Sequence, residues 1–159
     1  MPSFGLVEQN ASGTASNDEM DSSTPWMAAS EGNLPRLQNA LSTLNLPVIV
    51  ADENGYTLLH AASAYAQVTI IEWLLTQNVN VNATDNDGDS ALHHTEDAIT
   101  AKFLVERGRV DPTLRNSEGK TSLQVKQDDL NELMTDEEDD SEEASKLREL
   151  IAYLESIAR

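Results

Sequence analysis

The chain has 159 residues, no cysteine and a formal net charge of −18 at pH 7. That is one domain's worth of sequence, and the missing thiols exclude disulfides, thiolate metal sites and cysteine nucleophiles. The acidity argues against direct contact with DNA, RNA or an anionic membrane, which needs clustered Lys and Arg, and favours a basic partner.

Residues 1–23 are rich in Ser, Asn, Gly and other small side chains without a helical or strand period, which predicts a disordered tail. They show no basic start followed by an apolar core, so no secretory signal is expected, and no apolar run approaches the length of a membrane span. Thr24 reads as a helix N-cap with Pro25 at the first helical position, followed by Trp26, Met27, Ala28 and Ala29. Gly32-Asn33 turns the chain, and Leu34, Leu37, Leu41 and Leu44 follow at helical spacing. Pro47 and Val48-Ile49-Val50 read as an extended link.

Beyond that link the chain repeats itself. Asp52-Glu53-Asn54-Gly55-Tyr56-Thr57-Leu58-Leu59-His60-Ala61-Ala62 returns as Asp85-Asn86-Asp87-Gly88-Asp89-Ser90-Ala91-Leu92-His93-His94. It returns again as Asn116-Ser117-Glu118-Gly119-Lys120-Thr121-Ser122-Leu123-Gln124, with the glycines 33 and then 31 residues apart. A repeat of that length is one supersecondary unit that buries its apolar face only against copies of itself.

The first copy is regular, with Ile70, Ile71, Leu74 and Leu75 striping a second helix. The second copy is about three residues too short for two full helices, so its first helix should be clipped after His94 or Thr95. Its second helix should carry Ala98, Ala101, Phe103, Leu104 and Val105 and close at Gly108. In the third copy Leu123 and Val125 are expected to be the first buried positions. Residues 128–143 then insert ten acidic and no basic residues, leaving 18 acids against 10 bases elsewhere. Ala144, Leu147, Leu150, Ile151, Leu154 and Ile157 predict a closing amphipathic helix over about 142–158.

These residues resemble the ankyrin repeat, whose hallmark is Thr-Pro-Leu-His followed by Ala-Ala. Thr57, Leu59, His60 and Ala62 fit it, and Val81-Asn82-Ala83 matches the close of such a repeat. Leu58 departs from the usual proline, Ala66-Gln67 from Gly-His, and Asn78 from a helix-ending glycine. The resemblance implies an all-α solenoid of about four units, of the kind found in small acidic fungal ankyrin proteins. Residues 1–23 would be a tail, 24–51 a cap, 52–84 a regular repeat, 85–115 a shortened repeat, and 116–159 a C-terminal cap containing the acidic insert 128–143.

The signature residues have structural readings. Gly55, Gly88 and Gly119 suit turns that need positive φ, and Thr57, Ser90 and Thr121 suit helix caps. In the family, the histidine seen here as His60 and His93 bridges backbone groups of neighbouring turns. Gln124 stands in that slot in the last unit, a swap that a metal ligand would tolerate poorly. Aligning Gly88 with position six of a calcium loop puts Ala83 and His94 where carboxylates are needed, so no calcium site follows. No phosphate loop, nucleophile elbow, metal set or cofactor motif is recognised, and no enzyme activity is expected.

The resemblance implies a concave face lined by turn tips and first helices. Its variable positions are Glu53, Asn54, Tyr56 and Tyr65 in the regular repeat, with Ala64 beside them, and Asn86, Asp87 and Asp89 in the shortened one; Glu96 and Asp97 should lie nearby. Trp26 is expected to pack against Leu58 or Leu59. Thr135 precedes Asp136-Glu137-Glu138, a context for an acid-directed kinase. The expected function is non-catalytic binding of a basic protein or peptide on this acidic face, as a cytoplasmic and also nuclear monomer acting as escort or adaptor. One fungal protein of this type escorts a basic ribosomal protein. An ankyrin-type inhibitor or regulator of a protein kinase or transcription factor stays open as the alternative.

Overall fold

The computed structural model describes residues 19–134 and 141–158. Among them are seven helices and no named strand. They are α1 (Thr24–Glu31), α2 (Leu34–Thr43), α3 (Leu58–Ala64), α4 (Val68–Thr76), α5 (Ala98–Glu106), α6 (Ser122–Leu133) and α7 (Glu142–Ile157). Helices α1, α3 and α6 are the first helices of their units, and α2, α4, α5 and α7 the second ones. The unit-to-unit packing follows that order: α1 lies on α3, α5 on α7, and α4 meets α5 more lightly. Isolated bridges join Ala51 to Thr57 and Thr84 to Ser90, closing the hairpin-like turn tips.

One continuous core runs along the stack. Its fully buried members include Leu37, Leu58, Ile70, Ile71, Leu74 and Leu92, and further along Leu104, Leu150 and Leu154. Small residues at Ala28, Ala29, Ala61 and Ala62 let the first helices approach closely. No unit could bury these positions alone, which is why the helices depend on their neighbours rather than on intrinsic propensity.

Several local expectations change. The N-cap of α1 is Ser23, with Thr24 already helical; Asp21 organises the entry, accepting from Ser23 N and Ser23 Oγ. Residues 48–49 form a turn rather than an extended link, with Val50 N donating to Pro47 O, and Ile49 is left 69% exposed. The clipped helix of the shortened repeat is a turn over residues 91–94 with no α-helix at all. Gly108 does not supply the left-handed residue after α5. Arg109 does, at φ 59°, while a Cβ on Gly108 would stand 2.6 Å from Leu104 O. In α6 the buried positions are Ser122 and Lys126, and Leu123 and Val125 are only half-buried.

The acidic stretch is helical up to Leu133 as part of α6, and Glu142 and Glu143 open α7. Ser141 caps α7 by accepting from Ala144 N, and the two carboxylates sit at its positive end. Residues 1–18 of the expected tail, residues 135–140 of the insert and the Thr135 modification site lie outside the described residues.

Candidate partner-binding face

Each turn tip is built by one acceptor. Asp52 Oδ1 accepts from Asn54 N and Tyr56 N; Asp85 Oδ1 accepts from Asp87 N and Asp89 N; Asn116 Oδ1 accepts from Glu118 N and Lys120 N. Satisfying two backbone donors at once folds the loop tightly enough that Gly55, Gly88 and Gly119 take φ of 73°, 78° and 76°.

The tips are then tied to one another. Asn86 N donates to Asn54 O at 2.8 Å, and Ser117 N to Asp87 O at 2.9 Å. His60 Nδ1 faces Thr57 N and Thr57 Oγ1, while its Nε2 lies 2.8 Å from Asp89 O in the next repeat. Burial holds the His60 pKa below its ordinary value, so the ring is neutral, with Nε2–H the donor. His93 repeats this with Ser90 and with Lys120 O at 3.1 Å. Gln124 Oε1 accepts from Thr121 N and completes a capping box without a further tip to bridge.

The structure divides the variable positions in two. Glu53, Asn54, Asp87 and Glu96 are exposed, and Tyr65 is 63% exposed. The others hold the scaffold, Asn86 while itself exposed. Asn86 Nδ2 donates to Glu53 O, and Asp89 Oδ1 accepts from Asn116 Nδ2. Asp97 caps α5 through Thr100 N. Tyr56 is half-buried against the rings of His60 and His94, 5.3 and 5.2 Å away by centroids. Burial pushes its hydroxyl up to about 12. Trp26 meets the regular repeat through Nε1, which donates to Tyr56 O at 2.8 Å, a contact to the tip rather than one resting on Leu58 or Leu59 alone.

Sequence reasoning missed two polar contacts. His94 Nε2 lies 2.8 Å from Asp85 Oδ2, and the His94 ring stands edge-on to His60 of the preceding repeat. The recurrence of Asp three residues before each tip glycine (Asn in the last tip) was the signal for the first half of that pair. Lys126, 3% exposed, reaches back from α6 to Glu96 at 3.6 Å and to Asp129 at 3.4 Å. Nothing in the repeat pattern marks a buried lysine there.

His60, Asp85 and His94 each offer a ligand atom within 4.8 Å of the others. Both His60 nitrogens are already engaged, by Thr57 and Asp89 O, which leaves two donors where a catalytic or structural zinc needs three or four. The cluster reads as a hydrogen-bonded joint between repeats. Lys120, at the last tip, is held by Glu118 at 2.8 Å and Asp128 at 2.9 Å, and these hydrogen bonds, Glu118 first, raise its pKa; Arg115 reaches the same tip by donating to Gly119 O at 2.6 Å.

Residues 41–94 match the family model described as ankyrin repeats (many copies). The chain belongs to the ankyrin-repeat family. An ankyrin repeat-containing protein of Schizosaccharomyces pombe is 32% identical over 108 residues, 67% of this chain and 52% of that one. The RelA-associated inhibitor of Mus musculus is 31% identical over 100 residues, covering 61% of this chain and 12% of that protein. A palmitoyltransferase of Schizosaccharomyces pombe is 36% identical over 66 residues, 42% of this chain and 10% of its own length. The chain thus spans about half of the first relative and about a tenth of the other two. Ankyrin repeats are protein-interaction modules and generally non-catalytic, although the palmitoyltransferase is similar to this chain over such a segment. Among the described residues no helix is long and apolar enough to cross a membrane.

Proposed function

We propose that this ankyrin stack binds a basic protein or peptide on the face formed by its turn tips and first helices. The observation that carries the reading is the division of labour at the tips. Asp52, Asp85, Asn116 and the bridging histidines fix the backbone, which leaves Glu53, Asp87 and Glu96 projecting with Tyr65 as an exposed aromatic contact. At the last tip Lys120 is paired with two carboxylates and Arg115 donates to Gly119 O, so the negative sign of the face rests on the exposed acids of the first two tips and Glu96. Such a field steers a cationic partner and speeds encounter more than it adds affinity. An escort or adaptor that covers Lys and Arg of a partner in the cytoplasm or nucleus, as a monomer, is the role this chemistry suits.

Capture with the wild-type chain and with a Glu53→Lys/Asp87→Lys bait, each at low and high salt, tests it. Both substituted side chains are exposed, so the stack should survive the change. Partners should be basic, lost at high salt and lost on the reversed bait. A partner held equally by both baits at both salts overturns the reading. The mouse relative's name, an inhibitor, favours the second reading, an ankyrin-type inhibitor or regulator of a protein kinase or transcription factor. A binding partner whose own activity falls on addition of the chain would select it.

A further inference from the structure

The shortened repeat leaves a socket. The first helix of the regular repeat is Leu58–Ala64, whereas its counterpart in the shortened repeat stops after the turn at 91–94. The three residues lost are close to one helical turn. The first helix of the last unit does the opposite and runs from Ser122 to Leu133. Counting from the caps Ser90 and Thr121, Asp129 and Leu133 lie one and two turns past the point where the shortened repeat ends. That part of α6 therefore projects without a first helix beside it on the side marked by the Lys126–Glu96 contact.

A cavity of about 610 Å³ occupies the place. Its floor is Leu133 and the buried Leu147, and its rim carries Glu96, Asp129, Glu142 and Glu143. Among the described residues Lys146 is the one basic residue of that lining, and it is paired with Glu142 at 2.7 Å. Among the described residues, four carboxylates face three cations even when the buried Lys126 and Arg148, which contacts Met134 Sδ at 3.6 Å, are counted.

We infer that this socket receives about one turn of a basic amphipathic helix from the bound partner, which stands in for the missing turn. An aliphatic side chain would cover Leu133 and Leu147, and Lys or Arg would meet the surplus carboxylates. The inference rests on the reading that the partner is basic, and it adds a second contact away from the turn tips. The charge balance selects this occupant over two others. A second copy of the chain brings a net charge of −18, and residues 1–18 contain Glu8 and Asp18 but no Lys or Arg.

Because the chain has no cysteine, single substitutions Met134→Cys and Asn54→Cys can each carry a benzophenone at one defined place. Met134 is 40% exposed beside the socket, and Asn54 is exposed at a tip. The probe is a labelled, helical Lys/Leu peptide. It should cross-link from Met134, and Glu142→Gln/Glu143→Gln should weaken its binding roughly three- to tenfold, the scale of exposed charge pairs. Thermal melting of each variant separates this from loss of fold. Cross-linking from Asn54 alone, with the double variant binding normally, overturns the socket while leaving the basic-partner reading intact. Peptide that binds at neither place overturns both. Cross-links from Met134 to a second chain or to residues 1–18 that persist with the peptide present overturn the assigned occupant.

Discussion

His94 Nε2 sits 2.8 Å from Asp85 Oδ2, which ties the residue after the bridging histidine to the residue that organises the tip of its own repeat. Asp85 is buried to 7% side-chain exposure and also accepts from two backbone N–H groups. Burial works to raise its pKa, but the hydrogen bonds from His94 and from Asp89 and Asp87 N outweigh it, and the net shift is downward. A folded-state pKa below the unfolded one gives stability that is present above the unfolded value and lost as pH falls through the folded one. Asp85→Asn should keep both backbone contacts, since Asn116 makes the same pair in the last tip. It should lose the charged contact to His94, costing about 1 kcal/mol near pH 7. Urea melts across pH should show the gap closing below about pH 4. A constant gap at every pH would reject the charge-based account.

Ala66 adopts φ 56° after α3, a left-handed conformation with no side-chain compensation. An L-residue with a Cβ loses roughly 1–2 kcal/mol there, while glycine adopts it freely. Ala66→Gly should therefore stabilise the chain by about 1 kcal/mol, even though glycine in general loosens the unfolded state. The denaturation midpoint should rise with an unchanged urea slope. Asn78→Ala, at φ 57°, should move stability the other way.

The repeat fold was legible because its signals are local and redundant. Glycine, cap and histidine recur together, and each does its work within one tip or between adjacent tips. The turn at 91–94 could be anticipated from the missing residues alone, though not that the helix would vanish. What escaped was set by three-dimensional neighbours. Arg109 rather than Gly108 takes the left-handed position, and Gly108 is needed instead because the Leu104 carbonyl leaves no room for a Cβ, a requirement set by how α5 ends. Lys126 is buried although the repeat before it has no full first helix, and no pattern within α6 marks that burial. Asn86 and Asp89 read as free contact positions, yet their side chains are engaged across the tips, because the chain pattern does not reveal which tip atoms lack partners.

His60 and Gln124 occupy equivalent slots with different duties. His60 caps α3 and also reaches Asp89 O of the next tip, whereas Gln124 serves its own cap, with Thr121 N donating to its Oε1. His60→Gln should retain the cap and lose the bridge; Asp89 O keeps Asp85 N as a donor, so the cost is that of one hydrogen bond, about 0.5–1.5 kcal/mol. Gln124→His should change stability by less than about 0.5 kcal/mol, since no later tip waits for its second nitrogen. Equal losses in chemical denaturation of the two variants would show that the bridge contributes nothing beyond the cap.

Lys126 carries its charge at 3% exposure with only long contacts, 3.6 Å to Glu96 and 3.4 Å to Asp129. Both partners are largely in water, at 64% and 48% side-chain exposure, so they lose little if the ammonium is removed. Desolvation of a buried ammonium with imperfect partners commonly exceeds the attraction it gains. Lys126→Met, similar in length and apolar, should thus stabilise the chain by about 1 kcal/mol. A loss above about 2 kcal/mol would mean that the ion pairs outweigh desolvation there.

The joint between α4 and α5 should open before either half of the stack. These helices meet only lightly, and the segment before α5 lacks the first-helix column that elsewhere couples neighbours. Stability in a repeat array is a sum of unit and nearest-neighbour terms, so a weak interface fails locally. Amides of residues 94–97, together with the first turn of α5, should exchange sooner than those of α3 and α4. Slower exchange at 94–100 than in α3 would contradict this. Because the socket lies against Glu96, a bound basic helix should slow exchange at 94–97 more than at the turn tip of residues 52–56. Protection confined to that tip would place the partner on the tips alone.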